Sequence, residues 1–237
     1  MKNVFKKIMK YLSILFSFVM IVSCKPSKKE THNKDQNPPR IEAKVLESVN
    51  LSSGKLIRVD SFPSKYITPR PVDVWLPQSY SIGKKYAVLY MHDGQMLFDA
   101  SSTWNKQEWK VDEVASKLME KNVTRDFIVV AIHNIATLRW LDLYPEKSTA
   151  YLAKKDQDSL TSFSNKKVSL DELNGNEYLK FLVEELKPYI DKTYSIFSNK
   201  ENTFVAGSSM GGLMSMYAIS EYPEIFQGAA CISTHWV

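Results

Sequence analysis

The sequence predicts an α/β fold with a mostly parallel central sheet flanked by helices. Two apolar runs, at residues 86–91 and 127–132, have the continuous hydrophobicity of strands that are buried on both faces. Segments with the apolar spacing of amphipathic helices alternate with such runs, at residues 108–121, 176–189 and 210–221. Strands that alternate with helices in this way are typical of a parallel sheet with helices on its faces.

The first 23 residues have the pattern of a bacterial lipoprotein signal peptide. Four lysines precede an apolar run at residues 11–22, which is short for a transmembrane helix and ends at Ser23 and Cys24. We therefore expect cleavage before Cys24, lipidation of that residue, and export to a bacterial membrane on its periplasmic or cell-surface side. An ordinary signal peptide or a membrane anchor remains the alternative.

Residues 24–40 are polar and charged, and they predict a flexible tether because they hold too few apolar side chains to form a core. Residues 41–237 are then expected to form one domain. The whole chain carries a net charge of +5, of which four charges are lysines of the signal, so the remainder carries 5 − 4 = +1. A nearly neutral domain gives no support for nucleic-acid binding. Lipidation of Cys24 would leave Cys231 without a disulfide partner.

Within the domain, turn residues separate the apolar runs into a series of strands. The predicted strands are residues 43–49, 56–62, 70–76, 86–91 and 127–132, a run around Phe204, and residues 228–233. Residues 135–175 are polar and irregular, and we interpret them as a long excursion above the sheet. Excursions of this length inside a compact domain usually carry function.

A glycine-serine turn lies between a predicted strand and a predicted helix, with Gly207, Ser209 and Gly211 in the spacing Gly-x-Ser-x-Gly. This is the spacing of a nucleophile elbow, in which a strained turn presents the serine hydroxyl above the sheet. The glycines lack the Cβ atoms that would collide across such a turn. Ser209 is therefore the candidate nucleophile, and the Met210 N–H at the helix start is a candidate oxyanion donor. The alternative is a βα turn without chemistry.

A second turn at the same edge of the sheet completes the candidate site. Ligands of such sheets bind beyond the carboxyl ends of the strands, where the sequence also places His92, Asp93, Gly94 and Gln95. Gly94 allows a close backbone approach, and the Gln95 N–H is the candidate second oxyanion donor. His92, Asp93 and Gly94 are also candidates for substrate contact, and a plain Asp-Gly turn is the alternative. We interpret His92 and His133, which end strands at this edge, as hydrogen-bonded wall residues rather than as catalysts.

Aromatic and basic side chains of the predicted loops offer substrate contacts at this edge. The aromatic candidates are Trp104, Trp140, Tyr144 and Trp236. They are candidates for stacking on a sugar or an aryl ester, or else for capping the core and the excursion. Arg139 is a candidate for holding a substrate carboxylate or phosphate, or for a surface salt bridge.

Four segments carry a resemblance to a known family: VLYMHDGQ (residues 88–95), WKVDE (109–113), GSSMGG (207–212) and STHW (233–236). Together they resemble the esterase family of α/β-hydrolases, which includes enterochelin-esterase-like, feruloyl-esterase-like and esterase D-like proteins. The resemblance covers the chain from about residue 70 onward and implies an α/β-hydrolase fold. It also implies serine ester hydrolysis, in which Ser209 forms an acyl-enzyme while the Met210 and Gln95 amides hold the oxyanion. The implied substrates are small esters, whether acylated sugars, siderophore esters, aryl esters or thioesters.

The sequence departs from the family's pattern after the elbow. The family's order is serine, acid, histidine, but the 28 residues that follow Ser209 (237 − 209) hold no acidic residue after the strand at 228–233. The acid and the base are thus missing from this sequence, and we expect a chain truncated after that strand. We interpret His235, with Trp236, as a pocket wall rather than as a substitute base. Such a chain is expected to be nearly inactive, and to be poorly soluble because it exposes an apolar edge strand.

Two other functions remain open. A surface lipoprotein would use the same scaffold to bind a carbohydrate or a protein partner without catalysis. An acyltransferase would use the same residues to pass the acyl group to a sugar or a lipid. Neither alternative needs a cofactor, and the four histidines and two cysteines show no metal-ligand spacing.

Overall fold

The structure of the protein is a computed structural model that describes residues 41–162 and 169–236. These residues belong to one compact unit, Pro39–Val237. The predicted signal peptide, the lipidated Cys24 and the tether lie outside the described residues. Within the described ranges, no helix has both the length and the apolar character that crossing a bilayer requires.

Seven strands of the described residues form one sheet in the order β1-β2-β3-β5-β4-β6-β7. The strands are β1 (Lys44–Val45), β2 (Lys55–Phe62), β3 (Arg70–Leu76), β4 (Ala87–His92), β5 (Phe127–Ile132), β6 (Thr203–Ser208) and β7 (Gly228–Ile232). The pairings from β1 to β2, β2 to β3 and β3 to β5 are antiparallel, whereas β5, β4, β6 and β7 are parallel. The predicted α/β class is confirmed, with the predicted site on the parallel part of the sheet.

Six α-helices surround this sheet in the part of the chain that the structure describes. They are α1 (Val111–Glu120), α2 (Arg139–Asp142), α3 (Lys154–Ser162), α4 (Gly175–Lys180), α5 (Lys187–Thr193) and α6 (Met210–Glu221). A π-helical segment, Phe181–Leu186, joins α4 to α5 without a break. Short 3-10 helices lie at Gly94–Met96, Ala100–Ser102, Glu146–Tyr151, Leu170–Glu172 and Lys200–Asn202.

Two hydrophobic clusters cover the two faces of the sheet. Successive side chains of a strand point to opposite faces, so Tyr90 of β4 joins the larger cluster and Met91 joins the smaller one. The larger cluster packs α4, the π-helical segment, α5 and α6 against the sheet. The smaller cluster packs α1 against the other face, around the fully buried Trp75 of β3. This double cover explains why the parallel strands are apolar on both faces.

The second face also contains an open groove at the start of β4. This cavity of about 430 Å³ is lined mainly by apolar side chains, with one cationic exception. Its lining residues are Ala87, Val88, Leu89, Val123, Thr124, Arg125, Phe127 and Phe204. The groove lies at the opposite end of β4 from residues 92–95 and contains none of the predicted site residues.

The predicted elements differ from the structure mainly at the first strand and in the excursion. The predicted strand 43–49 is reduced to the two residues of β1, because Val49 and Leu51 pack on the smaller cluster instead of pairing. The predicted helix 108–121 begins only at Val111, because Lys110 before it adopts a left-handed backbone with φ 56°. The described part of the excursion, residues 135–162 and 169–175, holds short helices, including α2 and α3.

Candidate active site

Ser209 occupies a sharp corner between β6 and α6. Its backbone has φ 57° and ψ −121°, a conformation that side-chain-bearing residues rarely adopt. The two glycines of the motif differ in how closely other atoms approach the place where a Cβ would lie. A Cβ on Gly207 would lie 2.4 Å from the carbonyl oxygen of Gly211, whereas the nearest atom to a Cβ on Gly211 would be the Cβ of His92 at 3.1 Å. The predicted strand–turn–helix geometry around Ser209 is therefore present.

Backbone hydrogen bonds hold this corner on both sides. The Ser209 N–H donates to the carbonyl of Ile232 at the end of β7 (3.0 Å). The Ser209 carbonyl accepts from the N–H groups of Leu213 (3.1 Å) and His235 (3.2 Å). Residue 235 thus lies against the corner through its backbone. The Met210 N–H belongs to the first turn of α6, where N–H groups have no intrahelical acceptor.

The turn after β4 lies beside this corner. β4 and β6 are adjacent and parallel, so their carboxyl ends meet at the same edge of the sheet. A Cβ placed on Gly211 would lie 3.3 Å from Oδ2 of Asp93, which shows that the turn contacts the first residues of α6. Gln95, the predicted second donor residue, is part of the 3-10 turn Gly94–Met96 that follows Asp93.

Asp93 is part of an ion pair rather than of an open cleft. Its carboxylate is 4% exposed and accepts from Nε (2.7 Å) and Nη2 (2.8 Å) of Arg139 and from Nδ2 of Asn134 (2.5 Å). The hydrogen bonds to Asp93 raise the pKa of Arg139, against the opposing effect of burial. The Asp93 side chain is therefore bound by Arg139 and Asn134, and its contact with substrate stays a prediction. Arg139 forms a salt bridge, which is one of its two predicted roles.

His92 and Gly94 are also interior residues. His92 is fully buried, and its Nδ1 lies 2.9 Å from the hydroxyl of Tyr178 on α4. Burial lowers the pKa of His92 to about 4, so the ring is neutral at pH 7. A Cβ on Gly94 would lie 2.7 Å from the backbone of Ala131 and 2.9 Å from the ring of His133. His92 and Gly94 are thus both buried, and their predicted contacts with substrate stay predictions.

A second buried carboxylate lies behind the turn, on β3. Asp73 is 1% exposed and accepts from Nε (2.6 Å) and Nη2 (2.7 Å) of Arg58 and from Nε2 of His133 (2.7 Å). Burial alone would raise the pKa of Asp73, but the bonds from Arg58 and His133 outweigh it and lower that pKa. His133 is thus a hydrogen-bonded wall residue, as predicted.

The three predicted tryptophans have different surroundings. Trp140 stacks on Tyr144 with ring centroids 5.2 Å apart, so it packs within the excursion. Trp104 is 86% exposed, and within the described residues it makes no hydrogen bond or ring contact, so nothing places it at the site. Trp236 lies at a cavity of about 300 Å³ beside α6. The lining of that cavity comprises Tyr144, Pro145, Ser148, Leu152, Leu213, Met216, Tyr217, Ser220 and Trp236.

The residues that hold the two turns in place escaped prediction from the sequence. Asn134 and Tyr178 have no motif of their own, and Asp73 lies within an ordinary strand. A weak signal existed in the chain itself, since a histidine followed by a polar residue ends both β4 (His92 and Asp93) and β5 (His133 and Asn134). Neighbouring strands that end alike place their polar residues together.

The hydroxyl of Ser209 is half-buried and makes no hydrogen bond to any side chain of residues 41–162 and 169–236. In those same ranges, no cluster of three or more histidine, cysteine or acidic residues is arranged to hold a metal ion. The site therefore consists of a strained serine, the start of a helix and an adjacent backbone turn. Such an arrangement presents a hydroxyl together with N–H groups suited to a developing oxyanion.

Comparisons with known proteins find relatives for most of the chain. Residues 65–236 match the model of the Esterase family, described as "Putative esterase". The uncharacterized protein YbbA of Bacillus subtilis (strain 168) is 23% identical over 169 residues, which cover 70% of this chain and 58% of that protein. Among solved structures, a CE1 ferulic acid esterase of the anaerobic fungus Anaeromyces mucronatus matches with a TM-score of 0.53 and 21% identity, over 84% of this chain and 64% of that one.

An IroE-like serine hydrolase from Shewanella oneidensis also matches, with a TM-score of 0.53 and 22% identity, over 81% of this chain and 50% of that protein. At these identities the structural matches establish the fold. The chain spans 58% of the length of the Bacillus protein and 64% of the length of the fungal enzyme.

Proposed function

The chain belongs to the esterase family, and from that premise we propose that it hydrolyses carboxylic esters through an acyl-enzyme on Ser209. The observation that carries the proposal is the backbone of Ser209, with φ 57° at a corner between a parallel strand and a helix. Strain of this kind persists where the surrounding structure enforces it, and it is common at active sites. The strain has no explanation in the packing of the Ser209 side chain, since this side chain is half-buried and its hydroxyl makes no hydrogen bond among the described residues.

In the proposed reaction, Oγ of Ser209 attacks the ester carbonyl carbon and a tetrahedral oxyanion forms. The N–H groups of Met210 and Gln95 donate hydrogen bonds to that oxyanion, which is where negative charge develops. The bond to the alcohol oxygen then breaks, the alcohol leaves with the proton that Oγ of Ser209 gave up, and the acyl group remains on Ser209. Water then attacks the acyl-enzyme, one of its protons returns to Oγ of Ser209, and the acid is released.

Proton transfer limits the proposed activity of this chain. A serine hydroxyl is a weak nucleophile until a base takes its proton. His92 and His133 are engaged with Tyr178 and Asp73, and no described side chain bonds to the Ser209 hydroxyl. We therefore expect slow turnover from this site, sustained by the two amides and by substrate binding.

The proposed substrates are small esters of acylated sugars, siderophores or aryl acids. One supporting fact is that the fungal structural relative is a ferulic acid esterase. A second is that Trp236 lies at a cavity beside the helix that begins at Ser209. We further propose export and lipid anchoring through Cys24, on the basis of the signal-like residues 1–23.

Substitution of Ser209 by Ala tests the proposal directly. The unmodified protein should react with a fluorophosphonate probe at Ser209 and hydrolyse p-nitrophenyl acetate slowly. Ser209→Ala should abolish labelling and reduce the turnover number at least about 100-fold, because the attacking atom is gone. Mass spectrometry of the labelled peptide locates the modified residue.

Ser198→Ala is the matched control. Ser198 is an exposed serine of the loop before the 3-10 helix Lys200–Asn202, and it is not part of the lining of the cavity that contains Trp236. This variant should label and turn over like the unmodified protein. Absence of labelling in the unmodified protein, or equal turnover by Ser209→Ala, would contradict the esterase proposal and favour a carbohydrate- or partner-binding module.

A further inference from the structure

The turn that carries the proposed Gln95 donor has a conformation that needs external support. Asp93, its first residue, has a left-handed backbone with φ 60° and ψ 42°. Residues other than glycine adopt this region at a cost, with aspartate and asparagine among those that tolerate it best. A left-handed residue at this point redirects the chain from β4 into the 3-10 turn Gly94–Met96. The position of the Gln95 N–H therefore depends on whatever holds Asp93.

Three charge-assisted or short hydrogen bonds hold the Asp93 carboxylate. Arg139 binds both carboxylate oxygens, at 2.7 Å and 2.8 Å, and Asn134 adds a bond of 2.5 Å to Oδ1. A planar guanidinium that bridges both oxygens fixes the orientation of the carboxylate as well as its place. Because Asp93 is 4% exposed, water cannot replace these donors easily.

The same residues hold the donor-bearing part of the turn. The backbone N–H of Asn134 donates to Oε1 of Gln95 (3.1 Å), while its side chain binds Asp93. Gly94 lies between these two residues, packed closely against the backbone of Ala131 and the ring of His133. The turn is thus bound along its length by the segment that follows β5.

The carboxylate also lies near the other half of the site. A Cβ on Gly211 would lie 3.3 Å from Oδ2 of Asp93, so this oxygen lies close to the second residue of α6. The Asp93 carboxylate is therefore a near neighbour of both the turn with Gln95 and the first residues of α6. A shift of Asp93 would change the spacing between the two proposed donors.

We propose that Arg139 and Asn134 are positioning residues for oxyanion stabilisation, which act by fixing Asp93 between the Gln95 turn and the first residues of α6. The inference rests on the proposed function. The Nε and Nη2 donors of Arg139, which form one bidentate edge of its guanidinium, are already bound to Asp93. Loss of one oxyanion donor typically lowers turnover by about 10²–10³-fold, and displacement of about 1 Å has an effect of similar size.

Arg139→Lys is the principal test, because it keeps the charge and removes the bidentate geometry. We expect the kcat for p-nitrophenyl acetate to fall about 10- to 100-fold with KM within about twofold, since the transition state loses stabilisation and the ground state does not. Asn134→Ala, which keeps the backbone N–H to Gln95, should give a smaller fall of about 3- to 10-fold in kcat. Thermal melting of both variants shows whether each is folded.

Arg125→Lys is the matched control. Arg125 also donates to an asparagine side chain, with Nη1 of Arg125 2.7 Å from Oδ1 of Asn202 at the other end of the sheet. Its kcat should stay within about twofold of the unmodified protein. Hydrogen–deuterium exchange gives a reading that does not depend on turnover, since Arg139→Lys should speed exchange in the peptide of residues 93–97 and leave α1 unchanged.

An unchanged kcat in Arg139→Lys, or a rise in KM alone, would overturn the positioning role. A KM effect restricted to esters that carry a carboxylate would instead make Arg139 a substrate contact, which also overturns it. Equal turnover by Ser209→Ala and the unmodified protein would refute the esterase proposal separately. In that case the exchange data still decide whether Arg139 holds the turn: faster exchange at 93–97 in Arg139→Lys supports it, and unchanged exchange refutes it.

Discussion

His92 is an ionisable ring held in a fully buried position beneath the elbow. Its neighbours are the Tyr178 hydroxyl, the Asp93–Arg139 ion pair and the first residues of α6. Burial is the largest influence on its pKa, and Asp93 and Arg139 act in opposite directions as smaller ones. The pKa falls from the ordinary 6.5 to about 4, so the folded protein keeps this ring neutral where an unfolded chain would protonate it.

This burial makes stability depend on pH. Because the folded-state pKa of His92 is depressed, its contribution is present above pH 6.5 and is lost as the pH falls toward 4. The shift of about 2.5 pH units (6.5 − 4) corresponds to a loss on the order of 3 kcal/mol. His92→Gln, which does not titrate, should flatten the pH dependence of the free energy of unfolding by that amount. Urea unfolding at pH 7.5 and pH 4.5 measures the difference.

Tyr178→Phe separates burial from hydrogen bonding in that experiment. It removes the hydroxyl that His92 contacts but leaves the ring in place, so it should lower stability equally at both pH values. Identical pH slopes for His92→Gln and the unmodified protein would show that the ring does not resist protonation as described.

At the residue scale, the sequence predicts local geometry well and distant partners poorly. Ser209 was identifiable because its glycines lie within two positions of it. The partner of Asp93 is Arg139, 46 positions away, and no local pattern marks that pair. For the same reason Asp93 was interpreted as a substrate contact, although its carboxylate is already occupied by the protein.

Among the elements, the β6–α6 corner depends unequally on its two glycines. A Cβ at position 207 would overlap the carbonyl group of Gly211, with 2.4 Å to the oxygen and 2.5 Å to the carbon. A Cβ at position 211 would meet the side chains of His92 and Asp93 at 3.1 and 3.3 Å, where small adjustments suffice. The two positions therefore differ in how much of the backbone must move.

Alanine at each glycine tests this inequality. Gly207→Ala should destabilise the protein by about 3 kcal/mol, because backbone cannot yield as a side chain does. Gly211→Ala should change stability by less than about 1 kcal/mol, because the better helix propensity of alanine offsets the contact. Urea unfolding of the two variants gives the comparison, and equal losses would contradict the corner geometry.

The strands whose bounds were predicted correctly are those in which the apolar residues of the strand alone define where it begins and ends. β3 and β5 agree with their predicted bounds, because an unbroken apolar run has little freedom in where it ends. β1 was predicted as seven residues and has two, because the packing of Val49 and Leu51 on the smaller cluster takes precedence over pairing. The helix α3 of the excursion escaped prediction because its polar sequence lacks a core-facing stripe, and α2 escaped it because four residues are too few to show a helical period.

In the molecule as a whole, the two edges of the sheet differ. One edge strand is β1, which is short and pairs with β2. The other edge strand is β7, and no further strand pairs with its outer side in the described part of the chain. Ile232 of β7 is 50% exposed at that edge. An uncharged edge strand with free backbone groups is a template for pairing with another copy.

Ile232→Lys should reduce self-association of the purified protein, because a charge on an edge strand opposes strand pairing. Light scattering over a range of concentrations measures the effect. Ile82→Lys is the matched control, since Ile82 is 88% exposed in a loop away from the edge and should leave association unchanged. Equal effects of the two substitutions would attribute association to general surface hydrophobicity rather than to the β7 edge.

The π-helical segment between α4 and α5 determines in which direction side chains point around the axis of the continuous helix that these three segments form. Four-residue steps, such as Tyr178 to Leu182, Leu186 and Ile190, exceed the 3.6 residues of an α-turn and would drift around an ordinary helix. A π turn holds more residues than an α turn, so it takes up this excess. All four side chains are at most 1% exposed. A single widened turn thus lets one helix keep its core contacts while it aligns a tyrosine with the histidine that lies near the Ser209 corner.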